Sequence, residues 1–146
     1  MNSNISQLGI EKDDDKATLN ADKRLGDLSS QSVMIKNGWI INVLSANDPK
    51  YKNQCGMNKT WFGYTYGYPV GSVKTTFLGN GKAVLNYGNC YYKGQVKVLL
   101  NKKQISSANG NVINKEVTFN YSKGDTLIVK EVNVAIIKLN SLEILK

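Results

Sequence analysis

The feature that most constrains this chain is the cadence of its second half, where short runs of alternating apolar residues each end in a turn signal. Val73, Thr75 and Phe77 alternate before Gly79-Asn80-Gly81, and Ala83, Leu85 and Tyr87 before Gly88-Asn89. Val96, Val98 and Leu100 lead to Asn101-Lys102-Lys103, and a short run from Gln104 to Ala108 ends at Asn109-Gly110-Asn111. Val117, Phe119 and Tyr121 reach Ser122-Lys123-Gly124-Asp125, after which Leu127 and Val129 lead to a closing run from Val134 to Leu145. Alternation at period two sends one row of side chains into a core and the other toward water. Runs of about five to seven residues with turn signals every eight to twelve make a sandwich or a jelly roll. The expected fold is therefore all-β: an antiparallel β-sandwich or jelly roll.

Upstream the texture differs. Val33-Met34-Ile35-Lys36 and Trp39 to Leu44 flank Asn37-Gly38, a pair suited to a tight hairpin turn, so two strands or one bulged strand are expected there. Residues 1–31 mix Ser, Asn, Asp and Lys with isolated leucines, and only Lys16 to Leu28 offers a weak helical spacing, through Leu19, Leu25 and Leu28. The expected organisation is a polar, disordered tether or leader over 1–31 and one β-sandwich domain over 32–146. At 146 residues and 41% hydrophobic composition, one core is the natural outcome. No run of about 18 apolar residues and no basic-then-apolar start is present, so neither a membrane span nor a signal peptide is expected.

Charge narrows the partners. The chain carries +8, yet residues 1–31 hold six acids against four bases, so the remainder is more basic than the whole. Arg24 is the only arginine; from Ser32 onward every basic residue is a lysine. Without the planar fork that reads guanine, specific nucleic-acid recognition is not expected. Lysine charge still attracts anionic polymers diffusely.

There is no histidine, which removes the commonest general base and metal ligand and excludes Ser-His and Cys-His nucleophiles. Only Asp48, Glu116, Asp125, Glu131 and Glu143 remain as acids beyond residue 31, and acids beside turns are usually solvated. A non-catalytic role is expected, with no cofactor. The two cysteines, Cys55 and Cys90, allow a single intramolecular disulfide, with a pair of free thiols as the other reading.

The anomaly is aromatic. Trp61, Phe62, Tyr64, Tyr66 and Tyr68 follow one another near Cys55, and in an extended segment the three tyrosines share a face. Such rings either fill a core or stack on sugar faces while neighbouring Asn and Lys bond the hydroxyls. The candidate ligand-binding set is Trp61, Tyr64, Tyr66, Tyr68 and Tyr92, with Asn58 and Lys59 as polar neighbours. Tyr92 joins if Cys55 and Cys90 are bridged.

From Gly71 to Leu145, the succession Gly71-Ser72-Val73, Phe77 to Gly81, Leu85 to Cys90, Gly94 to Val98 and Gly124-Asp125-Thr126-Leu127 resembles the galactose-binding-like jelly-roll modules of extracellular proteins. That resemblance implies a carbohydrate or cell-surface partner and an extracellular or surface-associated setting. It also implies that calcium could be seated by scattered carboxylates, with Asp125 and Glu131 as the conceivable pair, against the plainer reading of a turn residue and a solvent-facing strand residue. The rival from another class is a structural component that self-associates through its sandwich.

Overall fold

The computed structural model describes residues 16–43, 60–62, 71–133 and 135–145. A helix over residues 16–24 (α1) and a second, α2 (Gln31–Lys36), precede nine strands. These are β1 (Ile40–Asn42), β2 (Thr60–Phe62), β3 (Ser72–Thr76), β4 (Gly81–Asn89), β5 (Gln95–Leu100), β6 (Lys103–Asn109), β7 (Val112–Tyr121), β8 (Thr126–Val132) and β9 (Ile137–Ile144).

They form two antiparallel sheets, a five-stranded one in the order β1-β3-β8-β5-β6 and a four-stranded one in the order β2-β9-β4-β7. The alternation places Val73, Phe77, Val96, Val98, Leu127 and Val129 inside from one sheet, and Ala83, Leu85, Tyr87, Phe119 and Tyr121 from the other. Phe77 stacks on Tyr121 across the core with ring centroids 3.9 Å apart. The buried Tyr87 bonds through its hydroxyl to Ser106 of β6, tying the sheets together. The β-sandwich expected from the sequence is the fold observed.

Three expectations change. The first is the hairpin around Asn37-Gly38. Ser30 caps a helix by accepting the Val33 amide at 3.1 Å, and the helix closes where Gly38, at φ +113°, lets the Trp39 amide reach the Met34 carbonyl at 2.9 Å. Asn-Gly serves a helix C-terminus here, since both settings need a left-handed backbone. The second is the boundary at residue 31. Leu25 and Leu28 are buried with Met34 and Trp39 in the main core, and the Trp39 indole donates to the Leu25 carbonyl at 3.0 Å. Residues 16–31 therefore belong to the packed domain, while 1–15 lie outside the described residues. The third is the turn at Gly88-Asn89: β4 runs through both residues, and the chain turns after Cys90.

Candidate functional site

Register shows what one end of the sandwich gathers. Phe62 of β2 and Asn89 of β4 both pair with Ile137 of β9, so β2 and β4 finish where β9 begins. In the other sheet, Ser72 pairs with Asn42 and Lys130, and Gln95 pairs with Val132 and Asn109. The connections β4–β5, β6–β7 and β8–β9 all cross at this end, and both anchors of the segment 63–70, Phe62 and Gly71, sit there.

The β4–β5 loop is built on Asn89, which is fully buried. Its side-chain Oδ1 accepts the Tyr91 amide at 2.9 Å and the Ile136 amide at 3.2 Å, and its side-chain Nδ2 donates to the Lys93 carbonyl at 3.0 Å. Cys90 N donates to Ile136 O and Gly110 N to Gly94 O, each at 3.0 Å. A loop pinned from beneath at this many points can hold a side chain out in water in a fixed place. Tyr92 is that side chain, 66% exposed. Its ring centroid lies 4.6 Å from that of Tyr91, and the Lys93 ammonium is 5.2 Å from the ring centre. The Tyr91 hydroxyl hydrogen bond and then the Lys93 charge hold the Tyr92 phenol below its ordinary pKa, because both stabilise the phenolate. Together they present a flat ring beside a cation, suited to stacking on a sugar face while bonding its hydroxyls.

Beside this end, the outer face of the four-stranded sheet carries a shallow hollow of about 380 Å³ lined by Asn86, Ile113, Asn114, Lys138, Asn140 and Ser141. Asn140 donates to the Asn86 side chain and to the Ile113 carbonyl, both at 2.9 Å.

Of the sequence-predicted residues, Tyr92 stands at this end, and Trp61 occupies the register position opposite Lys138, which lines the hollow. Asn58, Lys59, Tyr64, Tyr66, Tyr68 and Cys55 lie outside the described residues. Cys90 is buried beside the Tyr91–Tyr92 pair, and no cysteine is free among the described residues. Sequence reasoning missed Asn89, whose neighbouring glycine made it look like a turn, and Lys93, one of many lysines.

The conceivable calcium pair is corrected. Asp125 does complete a turn, accepting the Ser122 amide at 2.8 Å and the Asn101 side chain at 2.6 Å. Glu131, however, is fully buried rather than solvent-facing, and accepts the Gly71 amide at 3.1 Å at the far end of β8. Six residue steps along the strand separate the two by roughly 20 Å, too far to share one ion. No cluster of three candidate ligands occurs among the described residues. No helix among them is long and apolar enough to cross a membrane.

No protein-family model and no curated protein matches the sequence. Among solved structures the chain is similar to a family 35 carbohydrate binding module from an environmental isolate, at 13% identity and a TM-score of 0.49, covering 75% of this chain and 87% of that one. It is similar also to chitosan-binding module 1 of a chitosanase/glucanase from Paenibacillus sp. IK-5, at 10% identity and a TM-score of 0.46, covering 74% and 93%. A family two carbohydrate esterase from Cellvibrio japonicus matches at 10% identity and a TM-score of 0.48 over 73% of this chain. The chain spans 30% of the length of that esterase and 33% of one from Clostridium thermocellum.

Proposed function

We propose that this chain is a non-catalytic glycan-binding module that takes its ligand at the Tyr92 end of the sandwich. The observation that carries the reading is an exposed aromatic residue held rigidly by a buried asparagine, at the end where segment 63–70 is anchored on both sides. The reading adds Tyr64, Tyr66 and Tyr68 from the segment that joins those two anchors. In this reading those tyrosines and Trp61 supply further stacking rings. Lys93, Lys59 and Asn58 supply bonds to hydroxyls, and Lys138 and the Asn86–Asn140 amides extend the surface. A disulfide between Cys90 and Cys55 would fasten segment 44–59 to the same end, and suits an extracellular or surface setting.

The test pairs a neutral-glycan array with thermal melts on Tyr92→Ala and Trp61→Ala. Each variant should lose at least about fivefold in binding, since one sugar stack is worth on the order of 1 kcal/mol or more, and the Tyr92 variant should melt as the parent does. A Tyr92→Ala protein that binds every glycan as the parent does would overturn the reading.

A further inference from the structure

A second, chemically different cleft lies at the opposite end of β3. It has a volume of about 580 Å³, within the range of sites for small ligands. Arg24 of α1, Lys36 at the end of α2 and Lys74 of β3 line it, all three exposed and each carried by a regular element. Among the described residues the one carboxylate in the lining is Asp22, and it is turned inward: its two oxygens accept the Leu78 and Gly79 amides at 2.9 and 3.0 Å. Three cations from three elements thus line one cleft, whose single acid among the described residues is already occupied.

The rest of the lining is not that of a plain ion trap. Ile40 and Leu78 are 57% and 50% exposed, and both border the cleft, as do the hydroxyl-bearing Thr76 and Thr126. Apolar faces, hydroxyl partners and converging cations together match a ring that has an apolar C–H face, hydroxyls and a carboxylate. A nucleic-acid backbone asks instead for a basic track along the surface. An arginine fork with two lysines binds a carboxylate strongly because charge-assisted bonds exceed neutral ones.

We infer that this cleft is a second binding site, for a short acidic oligosaccharide of the uronic-acid type, whose carboxylate is held by Arg24, Lys36 and Lys74. The sugar scaffold rests on the glycan-binding reading above; the acidic specificity rests on the cleft alone.

The full chain is titrated calorimetrically with trigalacturonic acid and with its methyl-esterified form, at low and physiological salt. The acid should bind, the ester at least about tenfold more weakly, and added salt should weaken the acid alone. Arg24→Gln and Lys74→Gln should each lower acid affinity about tenfold, with unchanged melting temperature and unchanged neutral-glycan binding. Equal binding of acid and ester, or no binding at millimolar acid, would overturn the inference. So would acid binding lost in Tyr92→Ala but kept in Arg24→Gln, an outcome that leaves the aromatic-end reading standing. Tighter, Arg24-dependent binding of duplex DNA or of an acidic peptide would overturn the sugar assignment.

Discussion

The carboxylate of Asp22 accepts the backbone amide of Leu78 at 2.9 Å, with its other oxygen on Gly79 at 3.0 Å, and so fastens α1 to the β3–β4 turn. Both partners are local amides that the sheets leave unpaired, and the carboxylate is 1% exposed. Asp22→Ala should therefore cost about 2 kcal/mol, the worth of charged hydrogen bonds to partly buried amides. Deleting residues 1–31 should cost more, because Leu25 and Leu28 leave the core with it. Urea unfolding of both variants measures this, and a truncated chain as stable as the parent would contradict the packing.

How far the sequence spoke depends on what each segment buries. In β3, β4, β5, β8 and the end of β7 alternate residues enter the core, so the period shows in the letters, from Val73 to Val129. Helix α2 buries only Met34 among its six residues, and its Val33-Met34-Ile35 run looks strand-like. Its determinant is the Ser30 hydroxyl, a contact of one atom. Glu131 reads as a solvent-facing strand residue and Asp22 falls within the segment expected to be a tether, and nothing in their neighbours betrays the amides that donate to them. At the site, Tyr92 was legible as an aromatic near a cysteine. Asn89 was not, since its role depends on Ile136, 47 residues away.

Gly88 and Gly124 separate two reasons for glycine. A Cβ on Gly88 would lie 2.4 Å from backbone atoms of Ile113, which belong to the paired strand β7 and cannot move aside. At Gly124 nothing lies within 4 Å, and only its φ of +89° disfavours a side chain. Gly88→Ala should cost about 3 kcal/mol or more, at the top of the overpacking range. Gly124→Ala should cost about 1 kcal/mol. Chemical denaturation of both variants gives the order directly, and equal losses would mean that β4 and β7 separate readily.

Alkaline pH reads the two core tyrosines. Burial, and then the nearby Asp22 carboxylate, push the Tyr121 phenol from 10.0 up to about 12; burial likewise raises Tyr87, against the lowering effect of its Ser106 bond. The folded state keeps these protons while the unfolded chain releases them near pH 10, so their contribution is intact below that pH and is lost as pH rises toward 12. Tyr121→Phe should flatten that fall in midpoint relative to the parent. A parallel fall in both proteins would show that Tyr121 does not carry it.

Cys90 offers the last test, because it lies at the base of the loop that carries Tyr92. The chain has one other cysteine, Cys55, and a bridge between them would close a loop of about 35 residues, worth about 3–4 kcal/mol through the restricted unfolded chain. Reduction should lower the unfolding free energy by that margin and the melting midpoint with it. Because Asn89, directly before Cys90, also positions the Tyr91 amide and the Lys93 carbonyl, reduction should leave Tyr92 where it is and release only what the bridge fastens. Neutral-glycan binding should then weaken but not vanish in the reduced protein, and Tyr92→Ala should remove what is left. Intact mass without reductant decides the premise. Two free thiols would remove the bridge, and a bridged protein whose binding is indifferent to reduction would show that segment 44–59 makes no part of the ligand surface.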